Sequence, residues 1–350
     1  MTESHYLAQG LLAAVRAQGF GSTPDNDHGG AAVAHFPSID LAVVAFGPAG
    51  TARWANVLFS REYPHGLVAR IGDQAGAVQG IRFDADPQDA AGNSVAWARD
   101  TDWQRLAWKP LHGAGAVRVV APYPASLLKL MVAVGVAMAV DGGLTAWPAA
   151  LAPMIVVSDN DATDQCVALL HRLGLVGVLN QRFADLGLPT LQLNDTTAAG
   201  GWRNGDGAGV GHIHMTAWDT VRLLWLLDGD APPPPWLGMG TQLLKPATRA
   251  HLRGVLARQQ LDEILSSGAL RDVPGWVAGL PDAPAFAHKT GTTHNYASNA
   301  GILRTAQGTH CIVAVLTNLG TRYAPHERCA TTWRLPALGA AVHQLVKTLT

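Results

Sequence analysis

The sequence predicts an α+β protein with strands toward both ends of the chain, helices to cover a sheet, and a helical block between. Three observations carry this expectation. Segments 39–59 and 285–318 are rich in apolar and β-branched residues punctuated by turns. The middle of the chain reads at helical period with capping signals. Each terminus also places apolar residues at helical spacing, with Leu7, Leu11, Ala14 and Val15 at one end and Leu335, Leu338, Val342 and Leu345 at the other. The chain has 350 residues, 48% hydrophobic and 15% charged, which is ample for a large core in one or two domains.

In chain order, Tyr6 to Gln18 forms the first helical face. "IDLAVVAF", 39–46, reads as a strand, and the Gly-Pro-Ala-Gly turn at 47–50 leads into a second strand over Thr51 to Phe59. Between 60 and 115 only "GLVARIG" and "NSVAWARD" suggest strands. The run from Leu127 to Val140 is the most apolar in the chain, yet it falls short of the roughly 20 residues that span a bilayer, so it reads as a buried helix. "DNDATDQCVALLHRLG" begins acidic and ends at Gly174, as the helix dipole and C-cap prefer. "MTAWDTVRLLWLLDGD" opens on Thr216 with Asp219 three residues on, close to a capping box. A glycine-rich loop (Gly200, Gly201, Gly205, Gly207, Gly209, Gly211) and the prolines at 232–235 are connections. "AFAHKTGTT", "SNAGILRT" and "HCIVAVLTN" are strands; both alternate faces of the last are apolar, which calls for helices on both sides of the sheet.

The net charge of −1 offers no footprint for nucleic acid or an anionic membrane surface. The N-terminus carries Glu3 where a signal peptide would be positive, and Arg16 breaks the short apolar stretch, so the expected location is cytoplasmic. Cys166, Cys311 and Cys329 are an odd, scattered set without C-x-x-C spacing, which fits reduced thiols. His212 and His214 form an H-x-H pair with no further ligand cluster nearby, so no metal or cofactor is expected.

The chain has five lysines, and one of them, Lys129, stands inside the most apolar run. Ser126 lies one helical turn before it, just after Pro124, so the two side chains share a face near a helix N-terminus. A desolvated amine can act as base for a serine hydroxyl; the alternative is an N-cap serine and a lysine reaching to solvent. Two more triplets follow, Ser158-Asp159-Asn160 at a helix start and Lys289-Thr290-Gly291 on a strand. S-x-x-K, S-D-N and K-T-G in that order make up a known catalytic set.

Over about residues 120–350 the chain thereby resembles the penicillin-recognising serine hydrolases, most closely their class A β-lactamase-like branch. The resemblance implies an antiparallel sheet flanked by N- and C-terminal helices, plus an all-helical subdomain, with the site at their junction. The expected division is 1–115 with 285–350 for the sheet part and 116–284 for the helical part that carries the catalytic serine. The implied roles are Ser126 as acylated nucleophile, Lys129 as its base and Ser158 as proton shuttle. Asn160 would hold Lys129 and the substrate amide, and Lys289 and Thr290, with Gly291 beside them, would bind a substrate carboxylate. Backbone N–H groups of Ser126 and Thr292 would form an oxyanion hole. The implied partner is a small molecule carrying a carboxylate.

The chain departs from class A in two ways. No glutamate lies between Ser158 and Gly240, where class A enzymes place the acid that activates the deacylating water; Asn194 stands at the corresponding distance, and Asp195 is the nearest acid. The 32 residues from Ser126 to Ser158 are fewer, and the 131 from Ser158 to Lys289 more, than in that class. "LGLPTLQLNDT" is somewhat similar to the D-alanyl-D-alanine carboxypeptidase branch, which also lacks the glutamate. The expected activity is cleavage of an amide, lactam or ester through an acyl-enzyme, with Asp195 or Lys129 as deacylation base. A ligand-binding sensor, a biosynthetic acyltransferase and a D-amino-acid peptidase are alternatives on the same fold.

Overall fold

The computed structural model describes residues 3–47, 50–89, 93–200, 213–238 and 240–349. The elements run α1 (Glu3–Ala17), β1 (Pro24–Asp25), β2 (Ala31–Ala32), β3 (Ile39–Phe46), β4 (Ala52–Phe59) and β5 (Leu67–Val68). Then come β6 (Ile81–Ala85), β7 (Lys109–His112), β8 (Val117–Ala121), α2 (Lys129–Asp141), α3 (Leu151–Val156), α4 (Asn160–Arg172) and α5 (Leu175–Asp185). The chain closes with β9 (Gln192–Leu193), β10 (Ile213–His214), α6 (Ala217–Leu227), α7 (Pro246–Leu256), β11 (Phe286–Thr292), β12 (Ala297–Arg304), β13 (His310–Thr317) and α8 (Arg334–Lys347).

The main sheet has six strands in the order β11-β12-β13-β3-β4-β5, and every neighbouring pair is antiparallel. The C-terminal hairpins therefore join the N-terminal strands through the β13–β3 pair, where Val313 faces Val43. As the apolar alternation requires, β13 is buried on both faces. Val313 and Val315 pack with Leu41 and Val43 against α1 and α8, through Leu7, Leu11, Leu338 and Val342. Ile312 and Ala314 pack with Ala42 and Val44 in the core on the other face, shared with α2 and α6.

The helix α2 has no solvent-facing stripe: ten of its residues are buried, including Lys129. Thr216 caps α6, its hydroxyl accepting from the Asp219 N–H. Asp219 does not complete a capping box, however; its carboxylate takes the N–H and hydroxyl of Thr190 and pairs with Arg222.

Two of the expected strands change. "GLVARIG" keeps only Leu67–Val68 in the sheet. "NSVAWARD" is not a strand, because consecutive tight turns fold it back, with Ala98 N–H on Val95 O and Thr101 N–H on Ala98 O. The same region instead supplies a second sheet in the order β7-β6-β8, whose β6–β8 pair is parallel. Pro48 and Ala49 of the first turn, and residues 201–212 with most of the glycine-rich loop and His212, lie outside the described residues. His214 is buried in β10. All three cysteines are buried and free. Among the described residues no helix is long and apolar enough to cross a membrane.

Candidate active site

Ser126 sits, half-buried, in a 3-10 turn (Ala125–Leu128) that feeds directly into α2. The turn is pressed against β11 at Gly291. A Cβ placed there would stand 2.4 Å from Pro124 O and 2.6 Å from Leu127 N, so the glycine of K-T-G is what lets the serine turn approach the strand. Ser298 on β12 ties the contact down by donating to Pro124 O at 2.5 Å. Ala125 and Ser158 both hold positive φ, at +50° and +57°, a conformation that costs a non-glycine residue on the order of 1–3 kcal/mol. Two such residues at one site mark a backbone held in place by its surroundings.

The Lys129 side chain is wholly buried, and its Nζ meets four acceptors: Ser158 O at 2.6 Å, Asn160 Oδ1 at 2.8 Å, Ser158 Oγ at 3.1 Å and Asp159 O at 3.4 Å. The three shorter contacts match the three N–H bonds of an ammonium. Burial nevertheless disfavours the charge and brings the amine down to about 8, against the opposing pull of Asp159 and Asp164. Lys129 therefore does not point to solvent, and its amine is bonded to the S-D-N segment rather than to Ser126. Within that segment the capping role falls to Asp159, whose Oδ1 accepts from Ala162 N–H at 2.7 Å. Ser158 and Asn160 are left to face the lysine.

Lys289 reaches the same point from β11. Its Nζ donates to Ser158 Oγ at 2.9 Å and to Thr290 O at 2.8 Å. Complete burial pushes this amine well below the ordinary lysine range; Lys129 adds repulsion, and the Glu263 carboxylate opposes the shift. Two lysines thus converge on one serine hydroxyl, and when both donate, the Ser158 proton must point elsewhere.

Thr290 is buried, whereas Thr292 is half-buried at the end of the strand. Because β11 is an edge strand and Thr293 N–H bonds back to Tyr296 O at 2.9 Å, the Thr292 N–H one residue earlier points to the open edge, the side on which the serine turn packs.

Of the histidines flanking K-T-G, His288 faces away from this cluster. It is fully buried between Asp262, with Nε2 to Oδ1 2.9 Å, and Asn299, whose Nδ2 donates to Nδ1 at 2.9 Å. This fixes a neutral ring with the proton on Nε2. His294 pairs with Asp27 on the surface. Asp195 is exposed, at φ +54°. Asn194 is held by Asn180 at 2.9 Å.

Sequence patterns did not point to Asp164, Glu263 or Ser298. Asp164 could have been found, since it follows Asn160 by one helical turn on α4. Nothing local marks the other two, whose place near the site is tertiary.

A model of the beta-lactamase enzyme family matches residues 141–335, more than half of the chain, beginning after the Ser126–Lys129 turn. No curated protein sequence matches significantly. Among solved structures, the β-lactamase from Sphaerobacter thermophilus DSM 20745 aligns over 97% of both chains at 16% identity with a TM-score of 0.52, which shows a shared fold. PBP-A aligns over 65% of this chain and 81% of its own at 22% identity and a TM-score of 0.44. A class A β-lactamase representative from Bacteroides cellulosilyticus DSM 14838 aligns over 65% and 84% at 18% identity and 0.43. The fold expected from the sequence is the fold observed, and the chain belongs to the beta-lactamase enzyme family.

Proposed function

We propose that the protein is a serine hydrolase that cleaves an amide, lactam or ester bond of a small carboxylate-bearing substrate through an acyl-enzyme on Ser126. The observation that carries this reading is the convergence of Lys129 and Lys289 on Ser158 Oγ, beside a serine turn seated on Gly291. In the acylation step the Ser126 oxygen attacks the carbonyl carbon while its proton passes to neutral Lys129. The oxyanion takes N–H bonds from Ser126 and Thr292. Collapse breaks the bond to the leaving nitrogen or oxygen, which receives a proton by way of Ser158. Lys289 and Thr290 hold the carboxylate, and Asn160 positions Lys129 and the substrate amide.

Deacylation needs a base for water. Asp195 is exposed in a turn, whereas Lys129 lies within the hydrogen-bonded cluster, which favours Lys129 for both steps. Water then attacks the acyl carbon, Lys129 takes its proton, and Ser126 regains a proton as the acid leaves. The same reading divides the chain into a sheet part, 1–115 with 285–350, and a helical part, 116–284, with the cleft between them.

Intact-mass measurement after mixing with a penicillin or an activated ester tests this. A transient adduct on Ser126 is expected, with none on Ser126→Ala. A persistent adduct would mark a ligand-binding sensor instead. No adduct with any acyl donor, or undiminished turnover by Ser126→Ala, would overturn the assignment.

A further inference from the structure

The connection from α7 to β11 holds buried polar groups that the chemistry above does not use, and they converge on His288 and Lys289. Asp262 Oδ1 accepts from His288 Nε2 at 2.9 Å, from the Ser266 hydroxyl at 2.9 Å and from the Ala283 N–H at 3.3 Å. From β12, Asn299 Nδ2 donates to His288 Nδ1 at 2.9 Å and to the Lys289 carbonyl at 3.0 Å. Gln259 Nε2 donates to Ile155 O at 2.9 Å and to His288 O at 3.4 Å, so it joins α3, just before S-D-N, to the strand of K-T-G. Asp262, His288, Asn299 and Gln259 are all buried. The strand opposite makes room for the ring, since a Cβ at Gly301 would stand 2.4 Å from His288 Cβ.

The protons of this set can be placed. Leu265 N–H donates to Asn299 Oδ1 at 3.1 Å and the Lys289 carbonyl only accepts, so two backbone groups fix which end of the amide is oxygen and which nitrogen. The amide nitrogen then faces His288 Nδ1 as its acceptor, and the ring proton lies on Nε2 toward Asp262. Reversing any one of these groups sets two donors or two acceptors face to face. Successive residues of a strand face opposite ways, so the ring stands behind Lys289, whose Nζ reaches Ser158 Oγ at 2.9 Å from a peptide that Asn299 holds.

From this we infer that Asp262, His288 and Asn299 are positioning residues for Lys289, and that they thereby set how strongly the site prefers a substrate bearing a carboxylate. The inference rests on the acyl-enzyme reading, in which Lys289 holds that carboxylate, and adds the residues behind its specificity.

Two thioesters of acetylglycine test it, one with mercaptoacetate as leaving group and one with the neutral amide of mercaptoacetate. The quantity read is the ratio of their kcat/KM values in a variant against the same ratio in the wild type, in which intrinsic reactivity cancels. Asn299→Asp keeps the acceptor for Leu265 N–H and removes only the donor that faces His288 and Lys289. It should lower the preference for the carboxylate donor at least about fivefold, because a displaced amine loses a contact that only this donor offers. Asp262→Ala should lower it too, whereas Asp262→Asn, which keeps an acceptor for Nε2, should return it to within about twofold of the wild type. If Asn299→Asp does not fold, the two Asp262 variants decide. A role confined to packing would slow both donors alike. An unchanged ratio in Asn299→Asp or Asp262→Ala, or an Asp262→Asn no better than Asp262→Ala, would therefore overturn the inference. Intact mass separates it from the reading beneath it: an acetylglycyl adduct on Ser126 with unchanged ratios removes the positioning role alone, and absence of any adduct removes both.

Discussion

Lys129 sets two demands against each other, a cationic side chain withdrawn from water into an apolar helix yet furnished with four acceptors. Burial prevails far enough to bring the amine to about 8, so a substantial neutral fraction exists near physiological pH. Only that neutral form can take the Ser126 proton. Acylation should therefore accelerate as pH rises and level off above the lysine's titration, with a midpoint near 8. Lys129→Arg, which stays charged, should lose about 10²–10⁴-fold at every pH. Stopped-flow adduct formation between pH 6 and 9.5 measures this, and a flat profile would remove Lys129 as the base. The residues of this cluster were legible in the sequence because each sits in a local triplet whose order is informative. Glu263 and Ser298 were not, since a carboxylate near Lys289 and a hydroxyl on Pro124 O exist only once α7, β11 and β12 have packed.

At the scale of elements, β3, β11, β12 and β13 were readable from their apolar, β-branched runs, and β3 begins and ends where the pattern does. The second sheet was not, because β7 contains a proline and its three strands are only four or five residues long. Nor does local patterning explain an aspartate inside β3. Asp40 is buried, accepts the Ala217 N–H at the first turn of α6 at 2.8 Å, and accepts from Asn56 at 2.7 Å. The sheet thus satisfies an orphan N–H of a helix that would otherwise end against apolar surface. Asp40→Ala leaves both donors without this acceptor and should cost about 2–4 kcal/mol by urea unfolding. A change below about 0.5 kcal/mol would mean that α6 is held by apolar packing alone.

For the whole molecule, buried ionisable groups of opposite type shape the pH dependence of folding. Burial lifts Asp40 to about 6 and Asp86 to about 7, the latter despite hydrogen bonds from Ser94 and Tyr296. Burial lowers Lys129 and Lys289. Between the ordinary aspartate value and about 7 the unfolded chain has released protons that the folded protein keeps, so stability falls as pH rises through this window. For Asp86 alone the loss is on the order of 4 kcal/mol. Above about 8 two opposed effects overlap: the folded lysines release protons that the unfolded ones keep, which favours folding, while the buried thiols of Cys166, Cys311 and Cys329 keep protons that the unfolded chain releases, which disfavours it. The urea midpoint should accordingly be lower at pH 7.5 than at pH 5. Asp86→Asn, which cannot ionise, should flatten that descent. A midpoint that climbs steadily from pH 5 to 7.5 would show that these carboxyls are ionised in the folded protein despite their burial.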